Sequence, residues 1–151
     1  MKKTSLIILF MLFTLIGFTQ SVRPGYDKHL ADSLGADDYG MKMYSFVLLK
    51  TGKAEMKDEK MRDSIFIAHL QNIGRLVELG KLIVSGPMME NEHQYEGIFI
   101  FTTSLEETKV LLKTDPAVQA GLLETEIYNW YGSAALPLYL KYHDKLQKID
   151  F

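Results

Sequence analysis

The chain has 151 residues and a formal net charge of −2, a length that suits one domain with a substantial core. Because it is mildly acidic and has no basic stripe, it is poorly suited to contacting phosphate backbones, so nucleic acid is not an expected partner. The chain has no cysteine, which excludes disulfide bonds and thiolate catalysis.

Residues 1–19 have the pattern of a secretory signal peptide. Lys2 and Lys3 precede the apolar run 6–16, and small residues stand before Gln20. The run is short for a membrane span, which needs about 20 apolar residues. We therefore expect export to the periplasm or the medium, with cleavage after Thr19 and no stable membrane insertion afterwards. An uncleaved N-terminal anchor is the alternative, whereas a lipid anchor on cysteine is excluded.

Residues 20–40 are polar and rich in turns, and we interpret them as an N-terminal arm that packs on the domain. Tyr26, Leu30 and Leu34 recur every four residues, which predicts one short helix ending at Gly35.

Residues 41–131 alternate between strand and helix signals and form the predicted domain. Strands are predicted over 44–49, 82–85, 98–101 and 125–131, from short β-rich runs bounded by turn residues. A long amphipathic helix is predicted over 58–79, with an apolar stripe of Phe66, Leu70, Ile73 and Val77. A capping box at Ser104 opens a second helix.

The order βαββαβ predicts an α+β, ferredoxin-like fold: a four-stranded antiparallel sheet with two helices on one face. Residues 132–151 follow as a helical tail. The strands look apolar on both sides, so the second face needs a cover. A homodimer with facing sheets is the economical solution, and the tail is the alternative.

Two residues offer acid/base chemistry. His69 lies one step from the predicted apolar stripe, so we expect it to be half buried at the edge between helix and sheet. Asp115 precedes a proline, which disfavours helical geometry, so the helix should end there and project the carboxylate from a loop. If the two meet, Asp115 can orient the imidazole and leave its other nitrogen for proton transfer. A structural histidine and a simple helix stop are the alternative readings.

These residues also carry a resemblance. Four motifs of the sequence resemble those of the YciI-related (YCII) family. They are His69-Leu70, a glycine-basic-leucine turn at 80–82, a small residue before Gly86-Pro87, and Asp115-Pro116 with 118–121. The resemblance covers roughly residues 41–131. Trp130 to Leu136 is similar to a segment of exported members.

The resemblance implies a dimeric α/β barrel with a site centred on the residues that match its histidine and aspartate, His69 and Asp115. The chain departs from the pattern in one respect. Many members have an Arg-Pro pair shortly before the histidine, and Phe66-Ile67 stands there instead. Because of this departure, the resemblance does not extend to charge recognition beside the histidine.

Three further residues are candidates for substrate binding. Gly86 and Pro87 form a predicted strand-ending turn that could also line a pocket. Trp130 is either a substrate platform or filling of the core or dimer interface. Glu90, Glu92 and His93 lack metal-ligand spacing, so no metal is expected. The chain has no phosphate-binding loop and no dinucleotide fingerprint, so no cofactor is expected.

Two classes of function remain. One is a small exported enzyme that uses the His69/Asp115 pair for isomerisation, elimination or a lactone-type rearrangement of a small organic molecule. The other is a non-catalytic dimeric module that binds a small ligand or a partner protein in the cell envelope. A solvent-reachable His69 within hydrogen-bond range of Asp115, at the bottom of a concave pocket, favours the enzyme, and a His69 sealed in the core favours the module.

Overall fold

The computed structural model describes residues 22–149, so the predicted signal peptide and the first residues of the arm lie outside the described chain. The strands are β1 (Met41–Thr51), β2 (Leu82–Pro87), β3 (Tyr95–Phe101) and β4 (Leu123–Ser133). The helices are α1 (Lys28–Leu34), α2 (Glu59–Glu78), α3 (Leu105–Leu112), α4 (Pro116–Gln119) and α5 (Leu140–Leu146), and a 3₁₀ turn spans Leu136–Tyr139. Within residues 22–149, no helix has both the length and the apolar character needed to cross a membrane.

The four strands form one antiparallel sheet in the order β2-β3-β1-β4. Val47 on the central strand β1 faces Phe99 on one side and Ile127 on the other. Helices α2, α3 and α4 contribute Leu76, Leu112 and Ala117 to a core on that face. The predicted α+β, ferredoxin-like fold is confirmed.

The core between sheet and helices is almost entirely aliphatic and aromatic. Its nine buried members are Val47, Leu49, Leu76, Leu82, Phe99, Phe101, Leu112, Ala117 and Leu123. Burying each of the larger side chains contributes about 1.5–3 kcal/mol. This cluster fixes α2 and α4 against the sheet, and therefore also fixes the side chains those helices present.

Helix α2 buries its predicted apolar stripe only in part: Ile73 and Val77 pack against the core, and the stripe residues nearer the start of the helix do not. Its buried residues are His69, Asn72 and Leu76, whereas Phe66 is 38% exposed and Leu70 is 50% exposed. Two polar side chains take the inner positions because both find hydrogen-bond partners there, which removes the cost of burying them. The apolar stripe alone could not reveal those partners.

The strand β2 runs through Gly86 and Pro87, so the predicted strand-ending turn is wrong. Gly86 pairs with Ile98, and Pro87 pairs with Gly97. Proline is tolerated because β2 is an edge strand, where one side of the ladder needs no amide donor. Gly97 allows the close pairing, since a Cβ on it would lie 2.7 Å from the Gly86 oxygen.

The tail covers one end of the second sheet face. Tyr44, Ile83 and Ile100 are buried there, and Leu136 and Leu140 pack against them. The hydroxyl of Tyr139, in the same tail segment, donates a hydrogen bond to the Ile83 carbonyl oxygen.

The part of that face on the edge strand β4 stays open within the described residues. Tyr128 is 49% exposed and Trp130 is 38% exposed. The dimeric barrel that would cover them stays a prediction.

Candidate active site

The structure brings His69 and Asp115 together between α2 and the start of α4. His69 Nδ1 lies 2.8 Å from Asp115 Oδ2. Asp115 is 1% exposed, and His69 is 7% exposed, so it is more deeply buried than the expected half-buried position. The pair therefore sits under α2, and only a small part of the imidazole reaches solvent.

Helix α3 ends at Leu112, before Asp115, as the following proline predicts, and Asp115 also caps the start of α4. Its other oxygen, Oδ1, accepts the backbone amides of Ala117 at 2.9 Å and Val118 at 3.3 Å. This is an N-cap with Pro116 at the first helical position, a placement that both residue types favour. Because one oxygen is occupied by the cap, the carboxylate plane is fixed and Oδ2 is directed to His69.

The surroundings keep Asp115 ionised. Burial raises the pKa of its carboxyl group, but the hydrogen bond and positive charge offered by His69 lower it, assisted by the amides of Ala117 and Asn72. The lowering effects prevail, so the pKa of Asp115 lies below its ordinary value. A buried, ionised carboxylate is a strong acceptor for the imidazole N–H.

The proton on His69 therefore lies on Nδ1, because a carboxylate can only accept. Nε2 makes no hydrogen bond to the described residues, and no buried side-chain nitrogen or oxygen among them lacks a partner. Nε2 thus lies in the solvent-reachable part of the ring. In the neutral imidazole this nitrogen carries a lone pair that can accept a proton.

Two phenylalanines hold the imidazole in place. The ring of Phe99, on β3, stacks with that of His69 at a centroid separation of 6.1 Å and an interplanar angle of 25°. Phe66, one turn earlier on α2, meets it edge-on at 6.1 Å and 82°. With Asp115 at Nδ1, these contacts leave the ring little freedom to rotate.

Sequence reasoning missed a polar extension of the pair. Asn72 Nδ2 donates to Asp115 Oδ2 at 3.3 Å, and Asn72 is 8% exposed. Its Oδ1 accepts from Arg75 Nη2 at 2.7 Å, and the same Nη2 contacts Thr114 Oγ1 at 3.0 Å. The signal was available: positions 69, 72 and 75 repeat every three residues and so share one side of a helix.

The structure does not bring Trp130 to the pair within one protomer. Trp130 faces Tyr44 across the sheet, on the face that the tail partly covers. Val47 lies three residues from Tyr44 along β1 and therefore points to the opposite face, the one that His69 shares with Phe99. The predicted strand over 125–131 could not identify which face the helices occupy.

Gly86 and Pro87 lie on the edge strand β2 and are not among the hydrogen-bonded groups of the site. They follow Ser85, which is exposed and pairs with Phe99. Among residues 22–149, no three His, Asp or Glu side chains are grouped so that they could hold a metal ion.

Comparison with known proteins adds little. No protein-family model matches the chain, and no curated protein matches it. One similar solved structure is 5-chloro-2-hydroxyhydroquinone dehydrochlorinase from Burkholderia phenoliruptrix AC1100, in complex with 2,5-dihydroxybenzoquinone. It is 21% identical, the match covers 57% of this chain and 92% of that chain, and the TM-score is 0.43.

Proposed function

We propose that this chain is a small exported enzyme whose His69/Asp115 pair performs general acid/base chemistry on a small organic molecule. The observation that carries the proposal is the 2.8 Å contact between His69 Nδ1 and Asp115 Oδ2, which leaves Nε2 unpaired at the solvent side. The resemblance to the YciI-related family supports the same two residues.

The chemistry follows from the division of roles within the pair. Nε2 of neutral His69 takes a proton from an acidic C–H or O–H bond of the bound molecule. Asp115 stabilises the imidazolium that forms and prevents the ring from turning. Returning that proton to a different atom completes an isomerisation, whereas loss of a leaving group from the neighbouring carbon completes an elimination.

A binding module is the second candidate, and a specific observation favours it. His69 is only 7% exposed, and Asp115 caps α4 whether or not it serves chemistry. A buried histidine bonded to a helix cap also suits a purely structural role, in which the protein binds a small ligand or a partner in the envelope without turnover.

Proton exchange distinguishes the two candidates without knowledge of the substrate. Small enolisable ketones and lactones are incubated with the protein in D₂O, and loss of the α-proton signal is followed by NMR. We expect His69→Ala and Asp115→Asn to slow exchange by about 10²–10⁴-fold. His93→Ala is the matched control, since His93 is a solvent-exposed histidine in a loop. Exchange that persists in His69→Ala, or wild-type protein that exchanges none of the probes, would favour the module.

Export is a separate part of the proposal. Loss of residues 1–19 would remove two lysines and no acids, leaving 15 basic and 19 acidic residues and a net charge of −4. We expect the intact mass of the protein from the envelope or medium to correspond to a chain that starts at Gln20. A mass that includes Met1 would indicate an uncleaved anchor.

A further inference from the structure

We propose that Asn72 is a positioning residue for the His69/Asp115 pair, and that Arg75 acts on the pair through Asn72. The inference rests on the proposed function and deepens it by assigning the residues that position the carboxylate of Asp115. It starts from the row of hydrogen bonds that runs from the helix surface at Arg75 to the buried carboxylate of Asp115.

The amide of Asn72 can point only one way between its neighbours. Its Nδ2 faces the carboxylate of Asp115, and its Oδ1 faces the guanidinium of Arg75. The reverse orientation would place an NH₂ group against guanidinium donors and an oxygen against a carboxylate, which is unfavourable on both sides. Arg75 and Asp115 therefore set the orientation of the amide together, with Arg75 holding its oxygen while its NH₂ group donates to Asp115.

Thr114 supports the same orientation from the neighbouring segment. Its hydroxyl has one proton, and the short 2.7 Å contact with the Leu111 carbonyl oxygen takes it. Thr114 Oγ1 is then free to accept from Arg75 Nη2 at 3.0 Å. The guanidinium is thus held by two acceptors, Asn72 Oδ1 and Thr114 Oγ1, although its own side chain lies at the exposed surface.

Asn72 and His69 share one carboxylate oxygen. His69 Nδ1 approaches Asp115 Oδ2 at 2.8 Å, and Asn72 Nδ2 approaches the same atom at 3.3 Å. The second donor restricts where Oδ2 can lie. Losing Asn72, or freeing its amide by removing Arg75, should therefore loosen the Nδ1–H bond of His69.

The test is solvent exchange of the His69 Nδ1 proton, measured by NMR on the full mature chain. A net hydrogen bond of about 1 kcal/mol corresponds to about fivefold in an equilibrium. We expect about fivefold faster exchange in Asn72→Ala and about twofold in Arg75→Met. Arg75→Lys should recover only part of the loss, because an ammonium keeps the charge but lacks the planar fork of donors.

Arg62→Met is the matched control. Arg62 lies on α2 seven residues before His69, and Arg75 lies six residues after it. Both arginines are therefore about 10 Å from His69 along the helix axis. The side chain of Arg62 makes no hydrogen bond or ion pair among the described residues. We expect no change in Nδ1 proton exchange in this variant.

A double variant tests whether Arg75 acts through Asn72. Arg75→Met should not change Nδ1 proton exchange further in the Asn72→Ala background, because the hydrogen bond from residue 72 to Asp115 is already absent. Equal effects of Arg75→Met in both backgrounds, or equal effects of Arg75→Met and Arg62→Met, would overturn the inference. If Asn72→Ala fails to fold, the Arg75 and Arg62 variants decide alone, since both arginines are exposed.

The two proposals fail in different measurements. Unchanged Nδ1 proton exchange in Arg75→Met contradicts the role of Arg75 and Asn72. Retained α-proton exchange in His69→Ala contradicts the acid/base function and says nothing about the hydrogen bonds around Asp115.

Discussion

Asp115 uses its two carboxylate oxygens for two different roles. Oδ1 caps α4 through the amides of Ala117 and Val118, while Oδ2 meets His69. A substitution at this position can therefore remove one role and preserve the other. Asparagine is as good an N-cap as aspartate, but it carries no charge.

The first prediction uses this difference. Asp115→Asn should keep the cap and lose the ionised partner of His69, whereas Asp115→Ala should lose both. We expect Asp115→Ala to be less stable than Asp115→Asn by about 1 kcal/mol in urea unfolding at neutral pH. Asp58→Asn is the control, because Asp58 caps α2 through the Met61 amide and contacts no histidine. Equal losses in Asp115→Ala and Asp115→Asn would show that the cap contributes nothing.

The second prediction concerns pH. The pKa of Asp115 is lowered in the folded chain from the ordinary value of 3.8. The unfolded chain therefore binds the proton more readily, and the stabilising contribution is complete above 3.8 and is lost as the pH falls through the native pKa. The stability difference between wild type and Asp115→Asn should shrink below about pH 4. A difference that stays constant down to about pH 2 would contradict the assigned ionisation.

At the level of helices and strands, the order of elements was predictable because local patterns specify it. The Ser104 cap is an example: Ser104 Oγ accepts the Glu107 amide at 3.3 Å, as the capping box predicts. The Glu107 carboxylate pairs with Lys81 at 2.8 Å, and the capping box could not predict this contact because Lys81 is distant in sequence. The sequence could identify His69 and Asp115 as the candidate pair. It could not predict the hydrogen bond from Asn72 to Asp115, because this contact depends on how α2 is rotated relative to α4.

The third prediction tests that rotation. Leu76 is 2% exposed and Leu70 is 50% exposed, although they lie on the same helix. Leu76→Ala should destabilise the protein by about 2–5 kcal/mol, because it empties a packed site. Leu70→Ala should change stability by less than about 0.5 kcal/mol in the same chemical unfolding experiment. The reverse order would mean that the apolar stripe, including Phe66 and Leu70, faces the sheet.

At the scale of the whole molecule, the sheet face opposite the helices is partly open among residues 22–149. The tail packs over Tyr44, Ile83 and Ile100, while Tyr128 and Trp130 on the edge strand β4 stay exposed. A large, half-exposed aromatic pair on a sheet is typical of an interface between protein chains.

The fourth prediction is that two copies pair through this face. Light scattering at micromolar concentration should give twice the mass of the mature chain, and Trp130→Lys should shift it toward the monomer. Val110→Lys is the control, because Val110 is 62% exposed on α3, on the helix side. A monomer mass for the wild type would contradict the dimer.

The acid/base proposal is tested most directly by the tautomer of His69. In ¹⁵N NMR spectra of the neutral imidazole, we expect the proton on Nδ1, toward Asp115, and an unprotonated Nε2. Asp115→Asn should reverse the tautomer, if its amide turns an N–H toward the ring while its oxygen caps α4. A wild-type His69 with its proton on Nε2 would contradict the account, because the nitrogen assigned as the base would then have no lone pair to offer.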